Sequence, residues 1–341
     1  MLSVILAATL LSQASPLENW VTENGFTGHV IIAEGETILS EAVAGPAAPG
    51  RAMTSSETWR WASVSKQIVA VAVMQDVEAG RLQLDASLDS LVPDFPARHA
   101  DRITLRDLMR HTSGLPQPDY AIAPTLDDLS PMSLSSACDG AGERPGERFS
   151  YNNCDTILLG VVLERLHGES WVETLRRRIF EPAGMNETIA LTPSGEAETV
   201  SGYAGAGRPD PSDAPAPGYY GPSGALAGPA RDLVAFNAAL MEGRLLGDSA
   251  RSALWRGEAR LGYVALGAWS YATPLAGCEG AVELIERRGG IGYHQARTLM
   301  APATGRSLII LTNRGDYDFG ELWMGSGWGY ELASLAFCSD S

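Results

Sequence analysis

Between Ser63 and Ala79 the chain reads Ser-Val-Ser-Lys-Gln-Ile-Val-Ala-Val-Ala-Val-Met-Gln-Asp-Val-Glu-Ala. Wound as a helix, this stretch places Val64, Ile68, Val69, Val71, Val73, Met74 and Val77 on nearly every side. A helix apolar all round must be enclosed by other layers. The fold therefore needs a body large enough to surround it. The 341 residues suffice for one large domain or two coupled lobes. Gly80 supplies the helix stop.

One turn into this apolar segment stands Lys66. The chain has 25 Lys and Arg residues, and Lys66 is the only lysine among them. Arginine serves a surface as well as lysine does, but it keeps its proton near neutral pH. A lysine can lose its proton once desolvated or placed beside another cation. Ser63 lies three residues earlier, on the same helical face. At a helix N-terminus its hydroxyl meets the positive end of the dipole. A hydroxyl beside an amine is the nucleophile-and-base pattern of covalent catalysis. Ser-x-x-Lys alone is common by chance. An apolar helix carrying the chain's single lysine is a sharper setting, because a buried ammonium is costly.

The formal net charge is -16 with a pI near 4.7, which argues against nucleic acid or anionic membranes as partners. Met1 to Leu11 is almost wholly apolar, and Ser12-Gln13-Ala14 has the small residues of a cleavage site. Residues 1–14 read as a secretory signal peptide, implying a periplasmic or secreted protein with no stable membrane span after cleavage. The competing reading is an ordinary apolar N-terminal helix, since the terminal amine is the only positive charge there. Four cysteines, Cys138, Cys154, Cys278 and Cys338, allow three disulfide pairings. Cys138–Cys154 with Cys278–Cys338 is favoured, because it closes one short loop and ties down the C-terminal tail. Four free buried thiols are the alternative. With no Cys-x-x-Cys or His/Cys cluster, no metal site is expected.

Residues 28–33 and 37–40, joined by Glu34-Gly35, read as a β-hairpin. Thr104-Leu105-Arg106-Asp107 is a capping box opening a short helix that ends near Gly114. Helices are expected over 155–167, from Ser170 to a stop at Pro182, over 229–242 and over 319–337. Strands are expected over 263–269, 282–288, 297–301 and 308–312. Residues 193–222 read as a long irregular loop. Strands at both ends and helices between them predict an α+β fold. Its antiparallel sheet is built from both chain ends and flanked by helices, with an inserted mainly helical lobe. The expected division is a sheet lobe of about 19–80 and 225–341 and a helical lobe of about 81–224, within one domain over 15–341.

Three segments in order carry a resemblance. They are Trp61-Ala62-Ser63-Val64-Ser65-Lys66, then residues 103–116 containing His111-Thr112-Ser113-Gly114-Leu115-Pro116, and then Phe149-Ser150-Tyr151-Asn152-Asn153. Together they resemble the serine β-lactamase and penicillin-binding-protein superfamily, in its class C β-lactamase-like and D,D-peptidase/esterase branch. The similarity spans roughly residues 25–335. It implies that Ser63 is acylated, that Lys66 activates or orients it, and that Tyr151 is the phenolic base and acid. Which of Lys66 and Tyr151 takes the first proton stays open. Asn153 would hold Lys66 and the substrate amide.

The family's third motif matches Arg287-Arg288-Gly289-Gly290, with arginine where the family has Lys or His. Arg287 in that place can grip a substrate carboxylate bidentately but cannot shuttle protons. Gly289 and Gly290 would border the substrate, and the N–H groups of Ser63 and Gly290 would form the oxyanion hole. His111 and Ser113 read as turn braces, His294 as a pocket or core residue, and Tyr219 and Tyr220 as cleft walls or loop anchors. The absence of Gly-x-Ser-x-Gly disfavours an α/β-hydrolase, and the glycines of a phosphate-binding loop are missing.

The expected activity is exported hydrolysis of an amide or ester through a Ser63 acyl-enzyme. The substrate is a small molecule or peptide: a D-alanyl peptide, a β-lactam or a small ester. No cofactor is called for. The alternative is a catalytically weak or inactive family member that binds a peptidoglycan-like ligand.

Overall fold

The computed structural model describes residues 14–126, 128–138, 142–192, 199–204 and 216–339. The apolar run of the expected signal peptide, and most of the expected 193–222 loop, lie outside them. Six strands form one antiparallel sheet: β1 (Gly28–Glu34), β2 (Thr37–Ala44), β3 (Trp269–Pro274), β4 (Ala281–Ile291), β5 (His294–Ala301) and β6 (Arg306–Thr312). Their spatial order is β2-β1-β6-β5-β4-β3, so the first strands of the chain pair with the last. In register, Val30 faces Ile310 and Ile32 faces Leu308.

Strand alternation sorts the apolar side chains into two cores. Val30, Ile32, Leu308 and Ile310 face α1 (Pro16–Glu23) and the C-terminal α6 (Trp328–Cys338), through Leu17, Trp20, Leu332 and Phe337. Their immediate neighbours Ile31, Ile309 and Leu311 join the larger core on the other face. That core holds α2 (Ser65–Glu78), α4 (Cys154–His167) and α5 (Ala230–Met241). In α2, Ile68, Val69, Val71, Val73 and Met74 are all fully buried, as its pattern requires. The architecture is the expected α+β arrangement.

Helix α3 (Leu105–Arg110) opens on the expected capping box, with Thr104 Oγ1 accepting from the Asp107 amide and Asp107 accepting from the Thr104 amide. Both favoured disulfides are formed, Cys138–Cys154 and Cys278–Cys338, and no described cysteine is free.

Several boundaries differ from the sequence reading. Ser63 sits in a 3-10 turn, Ala62–Val64, and the α-helix starts at Ser65. α3 stops at Arg110 because His111 turns left-handed, with φ 57. The helix after Ser170 runs past Pro182 to Ala183 through a π-turn at Arg176–Phe180; Pro182 lies in the first turn of its last segment, where a missing N–H costs little. The strand expected over 263–269 lies later, at Trp269–Pro274, because Tyr263 is left-handed with φ 63. The C-terminal helix begins only at Trp328, after Gly325 and Gly327 at positive φ.

Candidate active site

The site forms where the N-terminus of α2 meets strand β4 and the segment before α4. Trp61 is buried and its indole donates to Gly228 O at 3.1 Å, which anchors the chain just ahead of Ser63. Ala62 has φ 47, an unusual conformation for a residue with a Cβ. This kink presents Ser63 half-exposed between buried neighbours Ala62 and Val64. Strand β4 comes so close that a Cβ on Gly289 would lie 2.2 Å from Trp61 O and 3.0 Å from Ser63 N. Only glycine allows that approach.

Around Ser63 Oγ the expected residues converge. Lys66 Nζ donates to Ser63 Oγ at 3.0 Å, to Asn153 Oδ1 at 2.7 Å and to Ser223 O at 2.6 Å. Those three bonds use all three donors of an ammonium. The Tyr151 hydroxyl lies 2.6 Å from Ser63 Oγ. Asn153 turns its amide donor to Tyr120 Oη at 2.7 Å. Tyr120 packs against Tyr220 with ring centroids 4.7 Å apart, so Tyr220 takes part in the wall behind Asn153.

Arg287 is in the site but faces inward. Its Nε donates to Ser63 O at 2.8 Å and its Nη2 to Tyr151 Oη at 3.2 Å, and the side chain is 1% exposed. The bidentate grip on a substrate carboxylate expected of it is not the geometry observed, because two of its nitrogens already serve the protein. Gly289, Gly290, Phe149, Trp269 and Arg288 border a cleft of about 410 Å³ with Ser63 and Tyr151. His294 is buried in β5 and does not border that cleft.

Electrostatics follow from this crowding. Burial is the largest influence on Lys66; Tyr151 offsets part of it, Arg287 adds to it, and the amine is lowered to about 8. For Tyr151 burial acts upward, but the cations of Lys66 and Arg287 outweigh it and bring the phenol down to about 8. Two groups this close titrate as a pair. The arrangement can take a proton from Ser63 at mildly alkaline pH and hold an anion next to two cations.

Behind Tyr151 lies a buried polar cluster that the sequence reading treated only as turn bracing. His111 packs against Tyr151 with ring centroids 4.6 Å apart, and its Nδ1 lies 3.0 Å from Asp155 Oδ2. Asp155 also accepts from Ser113 Oγ and from Asn152 Nδ2. Burial raises the Asp155 carboxyl well above its ordinary range and lowers the His111 imidazole well below its own. Tyr120 and the Ser223 carbonyl were also missed. A backbone carbonyl leaves no signature in a sequence, and Tyr120 stands outside the recognised segments.

The model of the family described as Beta-lactamase matches residues 22–323. The chain belongs to the beta-lactamase family. The α+β fold just described fits that membership. Penicillin-binding protein 4* of Bacillus subtilis (strain 168) is 32% identical over 190 residues, covering 52% of this chain and 41% of that protein. Penicillin-binding protein 4 of Amycolatopsis lactamdurans is 28% identical over 287 residues, covering 78% of this chain and 74% of that protein. This family member thus spans less than half the length of the Bacillus relative. Among solved structures, the D-amino acid amidase from Ochrobactrum anthropi SV3 complexed with L-phenylalanine amide superposes with a TM-score of 0.74. It is 24% identical, over 94% of this chain and 95% of that one, which shows the shared fold.

Proposed function

We propose that the protein hydrolyses an ester or amide through an acyl-enzyme on Ser63. The observation that carries this reading is the double approach to Ser63 Oγ, with Tyr151 Oη at 2.6 Å and Lys66 Nζ at 3.0 Å. Tyr151 takes the first proton. Lys66 has its three N–H donors committed to acceptors, an arrangement that suits an ammonium. Tyr151 instead receives a bond from Arg287 and sits beside Lys66, two cations that favour a phenolate.

In the forward step Ser63 Oγ bonds to the substrate carbonyl carbon as its proton passes to Tyr151. The carbonyl π-pair moves onto oxygen. Collapse breaks the bond to the leaving alkoxide or amine, which takes the proton back from Tyr151. Water then adds to the acyl carbon, and Ser63 Oγ departs with a proton, releasing a carboxylic acid. The oxyanion is assigned to the N–H groups of Ser63 and Gly290. Gly290 borders the cleft, and β4 runs so close to Ser63 that a Cβ on Gly289 would lie 3.0 Å from Ser63 N, which supports the assignment. Such donors typically matter by about 3 kcal/mol each.

Export is part of the proposal. The apolar run before Ala14 and the two disulfides support a periplasmic or secreted location. A sheet lobe enclosing an inserted helical lobe over about 81–224 is the corresponding division of the domain.

A mass-mapped labelling experiment tests the core of this reading. Purified protein is treated with a fluorophosphonate and, separately, a fluorescent penicillin. An adduct on Ser63 that is lost in Ser63→Ala is the expected result with at least one reagent. Folded protein that takes neither label would instead support a binding protein for a peptidoglycan-like ligand.

A further inference from the structure

Among the described residues, the cations around the cleft are already engaged within the protein. Arg287 spends Nε on Ser63 O and Nη2 on Tyr151 Oη. Its remaining nitrogen, Nη1, is sealed from solvent and meets no acceptor among the described residues. The guanidinium lies between two rings, 5.5 Å from the centre of Tyr151 and 5.2 Å from that of Trp269. Lys66 is 1% exposed and fully bonded. Arg288 borders the cleft, but its head pairs with Glu286 at 2.6 Å and with Glu321 at 2.6 Å. The remaining side-chain walls around Ser63 and Tyr151 are the aromatic faces of Phe149 and Trp269.

We propose that Arg287 is a positioning residue for Tyr151, and that the cleft takes esters or amides whose leaving group carries no carboxylate. This rests on the acyl-enzyme reading above. A carboxylate entering here would lose its water and find, among the described residues, neither a solvent-accessible free guanidinium nor a free ammonium. An uncharged leaving group loses little and gains aromatic contact with Phe149 and Trp269. Arginine suits the positioning task. Its planar fork reaches the Ser63 carbonyl and the Tyr151 hydroxyl at once, and its charge does not vary with pH. The cation beside the phenol also agrees with the lowered acidity range of Tyr151.

Two matched substrates test the proposal: the phenyl and the 3-carboxyphenyl esters of phenylacetic acid. The wild-type protein should hydrolyse the phenyl ester with a kcat/KM at least equal to that of its carboxylated partner. In Arg287→Gln, kcat should fall about tenfold or more on both esters with KM unchanged. The alkaline rise of activity should move up by about one pH unit, a tenfold change in proton affinity. Arg287→Lys should recover part of that displacement. A wild-type preference for the carboxylated ester overturns the proposal, and so does an unmoved pH profile in a folded variant. The wild-type comparison needs no variant, so it decides even if Arg287→Gln fails to fold. Labelling of wild-type Ser63 by the fluorophosphonate or the fluorescent penicillin is read separately. Its absence overturns the acyl-enzyme reading together with this one. Its presence alongside a wild-type preference for the carboxylated ester overturns this one alone.

Discussion

Lys66 Nζ lies closer to the carbonyl oxygen of Ser223, at 2.6 Å, than to the hydroxyl of Ser63, at 3.0 Å. The chain's single lysine is thus tethered to a backbone group remote in sequence. Ser223 in turn donates from Oγ to Tyr220 O at 2.6 Å, which fixes that carbonyl's own turn. Three acceptors in a fixed tripod suit a compact ammonium and do not suit a planar guanidinium.

Lys66→Arg keeps the charge and should still abolish acylation. The expected loss in the rate of Ser63 labelling is about a hundredfold or more, because a guanidinium cannot meet the three acceptors or hold Ser63 Oγ and Tyr151 as the ammonium does. Lys66→Met should lose as much. Stopped-flow labelling with a chromogenic ester or fluorophosphonate measures both. An active Lys66→Arg protein would remove Lys66 from the mechanism.

The rate of acylation should rise with pH and level off above about 8, where the Lys66–Tyr151 pair is centred. The sign follows from which form reacts. Both groups are lowered by the folded site, so the pair has lost one proton above that pH and is ready to accept the proton of Ser63. Below it the pair is fully protonated, and the rate should fall tenfold per pH unit. A flat profile between pH 6 and 9, read by labelling rate, would contradict this.

Gly289→Ala should abolish labelling and destabilise the fold, because its Cβ would overlap Trp61 O and press on Ser63 N. Neither neighbour can move without displacing the kink at Ala62. A Cβ on adjacent Gly290 meets nothing nearer than His294 O at 3.9 Å. Thermal unfolding should therefore separate the two variants, with Gly290→Ala close to wild type.

Asp155→Ala strips hydrogen-bond partners from Ser113, Asn152 and His111 at once. Each buried polar group left unpaired costs roughly 1–3 kcal/mol, so a loss of about 3 kcal/mol or more is expected. Urea unfolding checks it. Because His111 packs on Tyr151, labelling of Ser63 should also slow in the folded fraction.

The sequence displayed Ser63, Lys66, Tyr151 and Asn153 because each is a side chain within a compact segment. The sheet was legible for the same reason: alternating Val30, Ile31 and Ile32 against Leu308, Ile309 and Ile310 gives both faces away. What stayed hidden depends on long-range packing. The inward turn of Arg287 follows from Trp269 and Tyr151 closing over it, and neither lies near it in the chain. The Ser223 carbonyl and the His111–Asp155 contact are tertiary in the same way. The misplaced strand near Tyr263 and the late start of α6 trace to left-handed residues, whose effect on an apolar pattern is invisible in one dimension.

The pairing of β1 with β6 carries a consequence for synthesis. During translation, Ser63 and Lys66 leave the ribosome long before the partner strand that completes their sheet. At ordinary elongation speeds the interval is roughly tens of seconds. Throughout it β1 has an unpaired edge, and for most of it Arg287 has yet to be added. The sheet and the contacts of Arg287 with Ser63 and Tyr151 can close only once the last quarter of the chain arrives.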